Sequence, residues 1–281
     1  MFNRLFETDE SPRWRRICEV GFSLSLLFAY AMRVPNRHLF WGAKGFFGKH
    51  TIAVFGGVQR DWNDFRLFNW MTRVDWPWLV DAMLLLLFVS CILIVLNRGT
   101  KWALLVLIFT HMSFMGVANI FFWGWALLMP SFLAYLCFAR FQKRPTLWPR
   151  FLLCAHVSVI YFSNGFGRFV EPGWLAGQML ERALTQGEFA RIPYEFGDYS
   201  LVLVVLTYAT FLLEPLASLL LWTRFRMVFI IALWAMHIGL ELLSTVGLWS
   251  FILCFALTAF MRKEDWDLLG RFFRRWKSNE A

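Results

Sequence analysis

YSLVLVVLTYATFLLEPLASLLLW runs from Tyr199 to Trp222, and after a three-residue break RMVFIIALWAMHIGLELL runs from Arg226 to Leu243. A helix that crosses the hydrocarbon core of a bilayer needs about 20 predominantly apolar residues. Both stretches are of that kind, and each contains one carboxylate, Glu214 in the first and Glu241 in the second. They read as two membrane spans carrying ionisable groups, which are costly in hydrocarbon unless paired and so mark places where a membrane protein works.

Outward from this pair at 199–222 and 226–243, the same ruler places spans near 16–33, 79–97, 101–119, 121–139, 150–167 and 246–261. The fold class expected is therefore all-α, a multi-pass transmembrane helical bundle of about eight spans, one more or fewer depending on how the chain breaks around Asn119 and Gly124. Residues 1–15 form an N-terminal segment, 16–262 the transmembrane domain, and 263–281 a basic amphipathic tail. The composition is 59% hydrophobic and 19% aromatic but only 17% charged, whereas a soluble domain carries about 25% charged residues.

Lys and Arg accumulate in cytoplasmic loops. An even span count with both termini cytoplasmic puts most of the 28 basic residues inside, among them Arg13, Arg15, Arg16, Arg140, Lys143, Arg144, Arg271, Arg274 and Arg275. The first external loop is the exception, with Arg37, Lys44, Lys49, Arg60 and Arg66. On this topology the net charge of +9 faces the anionic inner leaflet and implies no nucleic-acid partner. In the tail, Trp266, Leu269, Phe272, Phe273 and Trp276 form a helical stripe opposed by Arg271, Arg274 and Arg275, a pattern expected to lie flat on the membrane surface. Ala29-Tyr30-Ala31 follows an apolar run as a signal-peptidase site would, but the long preceding region with Glu7, Asp9 and Glu10 argues against cleavage.

Cys18, Cys91, Cys137, Cys154 and Cys254 all fall in apolar spans, without CxxC spacing, and read as small core residues. No HExxH, phosphate-binding glycine loop or serine elbow is present, so no metal site and no nucleotide cofactor are expected.

The polar residues of the spans define the candidate site. His237 and Glu241, four apart, share one helix face, with Ser244 a turn further on and Trp234 at its border. Thr207, Thr210, Glu214 and Ser218 form a second stripe, and Pro215 leaves the carbonyl of Phe211 without its helical donor. Such backbone polarity is tolerated at membrane depth only against protein or a wet cavity. At about 1.5 Å of rise per residue, Asp81, Asn119, Asn164, Arg168, His237 and Glu241 fall in the outer half. His111 and Glu214 lie nearer the middle, and His156 deeper. The outer set reads as the mouth of a cavity entered from the non-cytoplasmic side. His237 is the candidate acid/base, Glu241 its orienting group and Arg168 the holder of an anionic oxygen. Asn164, Asp81, Asn119 and Glu214 are candidate ligand-binding supports. Buried polar side chains also hold membrane helices together at roughly 0.5–2 kcal/mol each, a role that fits His111, Asn119 and His156. Arg168 also fits a snorkelling anchor.

Tyr161-Phe162-Ser163-Asn164-Gly165-Phe166-Gly167-Arg168-Phe169, followed by Trp174 and Gly177, resembles a family pattern of an aromatic span end, G-x-x-K and then W-x-x-G. Asp198-Tyr199-Ser200, Trp222-Thr223-Arg224-Phe225-Arg226, Gly247-Leu248-Trp249-Ser250 and Trp41-Gly42-Ala43 fit in order and spacing. The pattern is that of the horizontally transferred transmembrane domain (HTTM) family, related to the membrane half of vitamin K-dependent gamma-carboxylase, and the resemblance covers nearly the whole chain. It implies a multi-pass protein, in bacteria of the inner membrane, whose cavity takes a quinone, a lipid or an apolar peptide segment, with Trp174 among its binding residues. Arg168 stands where carboxylase members have lysine and cannot act as a base. With the large luminal domain also missing, gamma-carboxylation is not expected.

Three functions follow as expectations. The first is a membrane protein with an outward polar pocket that binds a lipophilic ligand and, in an enzymatic version, processes it. The second is a non-enzymatic maturation or scaffold partner for a membrane protein or secreted peptide. The third, a transporter, predicts internal repeats, which the sequence does not offer.

Overall fold

Long runs of Leu, Ile, Val and Phe with few Gly or Pro leave the helix as the conformation that satisfies the backbone without help from water. The computed structural model describes residues 7, 9, 13–42, 70–74, 76, 78–118, 124–185, 200–243 and 248–279, and among these the regular elements are helices, without strands. The helices are α1 (Arg13–Ala31), α2 (Arg37–Trp41), α3 (Leu79–Val95), α4 (Thr100–Ala118), α5 (Gly124–Phe141), α6 (Trp148–Arg168), α7 (Pro172–Leu175), α8 (Met179–Thr185), α9 (Ser200–Leu220), α10 (Arg226–Leu243), α11 (Leu248–Leu257) and α12 (Lys263–Asn279). Each of the eight apolar stretches identified in the sequence coincides with a helix, α11 being extended by a 3₁₀ turn, Thr258–Phe260. Asn119, Ser244 and most of the basic first loop lie outside the described residues.

Among the described residues, two helices are long and apolar enough to cross a membrane, Leu201–Leu220 and Arg226–Leu243. A third span results if α1 and Val34–Trp41, bent by 48°, are counted together. The bend falls where Pro35 enters a 3₁₀ turn, since proline cannot continue the hydrogen-bond ladder of the preceding helix. The other apolar helices, such as Leu79–Val95 and Thr100–Gly116, are shorter.

The chain divides into two units, Glu19–Pro145 on the one hand and Met1–Cys18 with Thr146–Ala281 on the other. In the first, α3 and α4 pack side by side and α5 packs on α4. Their tight connection uses Asn97 and Gly99, both at positive φ (56° and 57°), a conformation that Asn and Gly adopt most cheaply. Arg140 of α5 donates a fork to Glu19 of α1, with both bonds at 2.6 Å, and a further bond of 2.8 Å to the Asn97 side chain. Glu19 is fully buried, and this fork supplies the counter-charge and hydrogen bonds that a buried carboxylate requires. Nearby in the chain, the Tyr30 hydroxyl and His111 Nδ1 meet at 2.8 Å, with Tyr30 packed on Trp41 and Phe114.

In the second unit α6 and α9 form the central pair, flanked by α10, α11 and the short α8. The polarity of α9 is inverted relative to a soluble helix. Thr207, Thr210, Glu214 and Ser218 are buried, while Leu201, Val205, Leu212, Leu216 and Leu219 are exposed. The α12 start is fixed by Arg226, which forks onto Asp265 at 2.7 and 3.1 Å. Asp265 also accepts the backbone N–H of Arg262, the half of a capping box that satisfies the N-cap amide.

Replacing Glu19 by Gln is expected to lower the unfolding free energy by about 3 kcal/mol, because it strands the Arg140 charge. Thermal unfolding of the purified variant beside wild type measures this, and an unchanged midpoint would contradict it.

Candidate functional site

Tyr161, Asn164 and Arg168 follow one another at three and four residues on α6, and therefore share the face turned to α9 and α10. Gly165 lies on the same stretch and makes the crossing close. A Cβ built there would sit 2.7 Å from Cδ and 2.9 Å from the backbone nitrogen of Pro215. Proline has no N–H to shield and glycine no side chain to hold α6 away, so α6 and α9 touch backbone to ring at this level.

The close approach delivers Arg168 to Glu214. Their charged groups meet at 2.8 Å with both side chains largely buried, and Arg168 also donates to the carbonyl of Thr210 at 3.2 Å. That carbonyl is one residue before the Phe211 carbonyl that Pro215 cannot serve. The remaining face of the guanidinium lies 4.0 Å from the centroid of the Trp174 ring, a stacking geometry available to arginine and not to a lysine ammonium in the same planar sense.

Trp174 belongs to a cap made by α7 and α8. Tyr208 of α9 donates to the carbonyl of Leu175 at 2.8 Å, and the Leu180 amide donates to Thr207 Oγ1 at 3.3 Å. Between the two short helices Gly177 has φ of +70° and lies where a Cβ would come within 3.0 Å of Tyr208 and Val204. Only glycine meets both demands.

Beneath this cap is a cavity of about 520 Å³, within the range of small-molecule sites. Its walls are apolar, with Leu180, Leu184, Leu213 and Leu240 among them, and its polar groups are Arg168, Glu214, His237, Asn164 and Thr210. His237 Nε2 meets the Tyr161 hydroxyl at 2.8 Å. Its Nδ1 is buried and has no hydrogen-bond partner among the described residues. Since Arg168 and Glu214 cancel, the polar end of the cavity is close to electroneutral. Among its polar groups are the exposed side-chain amide of Asn164 and an imidazole whose buried Nδ1 can donate or accept a hydrogen bond, depending on the tautomer.

Of the residues proposed from the sequence, the structure brings Arg168, His237, Asn164, Glu214 and Trp174 into this one cavity. Glu241 lines a smaller neighbouring cavity of about 200 Å³, with His237, Ser250 and Cys254. It is not the hydrogen-bonding group that orients His237. Tyr161 takes Nε2 and Nδ1 has no such partner, because the ring turns across to α6 and not along its own helix. Asp81 belongs to the other unit, where Arg37 donates to it and His38 lies 3.6 Å away, and it is not among the residues of the cavity. Asn119 lies outside the described residues. Tyr161 was missed as a site residue, although its place two turns before Arg168 on one face was a usable signal. Among the described residues no cluster of three or more His, Cys, Asp or Glu could hold a metal ion.

Comparison with protein-family models, with curated proteins and with solved structures gives no match.

Gly165→Ala is expected to destabilise the second unit by about 1–3 kcal/mol through forced separation of α6 and α9, and to weaken the Arg168–Glu214 contact. Thermal unfolding checks the first effect, and a variant as stable as wild type would show that the crossing is not tight.

Proposed function

We propose that this chain is a multi-pass integral membrane protein of about eight spans, with both termini cytoplasmic, whose cavity under α7 and α8 opens to the non-cytoplasmic side and binds a neutral, polar-headed lipophile. A quinone-like or lipid-like molecule has this chemistry. In a bacterium the site of residence would be the inner membrane. Membership of the horizontally transferred transmembrane domain family belongs to the same proposal, supported by the convergence of Gly165, Arg168, Trp174 and Gly177 on one cavity and its cap.

Two observations support membrane residence. Buried Thr207, Thr210, Glu214 and Ser218 stand opposite exposed Leu212, Leu216 and Leu219 on α9, the arrangement expected where the surroundings are less polar than the interior. Exposed Val228, Ile231, Ile238 and Leu242 give α10 the same outer face.

The observation that carries the ligand reading is the pairing of an apolar cavity with a buried imidazole, whose Nδ1 has no hydrogen-bond partner among the described residues, beside the Arg168–Glu214 ion pair. A ligand with a charged carboxylate would gain Arg168 only by meeting Glu214 as well. A hydroxyl or carbonyl head meets no such opposition and satisfies Nδ1. If the protein acts on its ligand, His237 is the group placed to move a proton at that head. Tyr161 would hold the ring and the Arg168–Glu214 pair would orient the bound molecule.

Mass spectrometry of protein purified in native lipid is expected to find one lipophilic molecule retained by wild type, with His237→Leu reducing retention about tenfold, the equivalent of one lost hydrogen bond. Ala183→Trp, which places a large side chain in the cavity wall and replaces none of the polar groups, is expected to abolish it. Retention unchanged in both variants would overturn the ligand reading. Membrane residence is read separately, since the chain should stay with membranes after alkaline carbonate washing and its release would contradict the spans.

A further inference from the structure

A second cavity, of about 390 Å³, lies at the other ends of the same helices, where α6 and α10 begin and α9 stops. Phe151, Leu221 and Phe260 give it an apolar wall, and Arg150, Arg226 and Arg262 stand around it. Two of these arginines are held rigidly. Arg150 donates to the carbonyls of Ala259 and Met261 and pairs with Asp9 at 3.2 Å, and Asp9 in turn accepts the indole N–H of Trp14. Arg226 is forked onto Asp265. Each is balanced by one carboxylate. Arg262, exposed on the same rim, forms no ion pair among the described residues, so the three arginines outnumber the two carboxylates that hold them.

Trp222 completes the site. Its indole N–H donates to Ser158 Oγ at 2.8 Å, its ring packs on Phe151 and Phe260, and its outer surface is exposed. A tryptophan so placed, apolar on one side and wet on the other, is the side chain favoured at the level of lipid headgroups.

We propose that this cavity seats one anionic phospholipid, with its phosphate against Arg262 and the guanidinium edges of Arg150 and Arg226, and the first methylenes of its acyl chains along Phe151, Leu221 and Phe260. The proposal rests on the membrane reading above but is independent of the ligand assigned to the first cavity. Charge complementarity selects the anionic headgroup, because positive side chains at a membrane surface attract anionic lipid at about one kcal/mol each. The apolar wall beside the arginines selects a lipid over a free anion, since a free phosphate would leave Phe151 and Phe260 unused and open to water. Asp265 places the site at the root of α12, so a bound lipid would brace the helix whose basic, aromatic sequence faces the same leaflet.

Native mass spectrometry of the full chain, stripped of lipid in detergent and titrated with phosphatidylglycerol or phosphatidylcholine of matched chains, tests this. Wild type is expected to prefer phosphatidylglycerol about fivefold. Arg262→Ala should remove the preference, Arg224→Ala should keep it, and excess inorganic phosphate should leave the lipid bound. Equal affinity for the two lipids would overturn the proposal. So would a loss in Arg224→Ala as large as in Arg262→Ala, which would indicate a diffuse surface charge, or displacement by phosphate, which would indicate a free-anion site. A chain that resists carbonate extraction yet shows no lipid preference would sink this inference alone and leave the membrane reading standing.

Discussion

An arginine and a glutamate placed singly among apolar helices would each carry a desolvation cost of several kcal/mol. The Arg168–Glu214 pair resolves both at once, and its demands organise the second unit. The guanidinium has to reach Glu214 from α6, which requires the helices to approach closely, and Gly165 against Pro215 permits that approach. Its unused face has to be covered by something that tolerates a cation, and Trp174 supplies that cover. Holding Trp174 in place requires the α7–α8 cap to be tied to α9, which Tyr208, Thr207 and the left-handed Gly177 accomplish. The cavity is the space left beneath a cap positioned by these constraints.

On the proposed ligand reading, the same reasoning would make the cavity chemically selective and not merely apolar. A paired Arg168 and Glu214 present little net charge to a ligand, so discrimination falls to His237. Its ring is anchored on one side by Tyr161 and has Nδ1 unsatisfied on the other. A site built this way rejects an analogue without a hydrogen-bonding head more strongly than a site relying on shape alone, because the analogue leaves a buried polar nitrogen unpaired. At the opposite ends of the helices, Arg150 and Arg226 are also locked by carboxylates. Pairing of buried charge thus recurs at both ends of the unit, as it does for Glu19 and Arg140 in the other.

The helices were legible in the sequence because apolar length and scarcity of breakers act locally, and every expected stretch coincides with a helix. Length alone does not settle crossing, since α3 and α11 fall short of the strictest measure that α9 and α10 pass. Within the site, spacing on a single helix was informative. Asn164 with Arg168, and Thr210 with Glu214 from the polar stripe, reached the cavity, whereas Thr207 and Ser218 are not among its lining residues. What spacing could not give was partnership between helices. Glu241 shares a face and the smaller cavity with His237, yet it is not among the residues of the larger one. Asp81 matched the others in depth, but depth is one coordinate, and the residue pairs with Arg37 in its own unit. Glu19 falls within the first expected span and Arg140 just beyond the fourth, and spacing along the chain does not reveal that the fold pairs them.

The central claim is that Arg168 and Glu214 stabilise the unit as a pair and would each be a burden alone. A double-mutant cycle on unfolding free energy in native lipid, with Arg168→Met, Glu214→Gln and both together, tests it most directly. The pairing predicts that each single change costs about 3 kcal/mol and that the double variant costs much less than their sum. Additive losses would contradict it and leave Arg168 as a surface anchor with Glu214 unrelated to it.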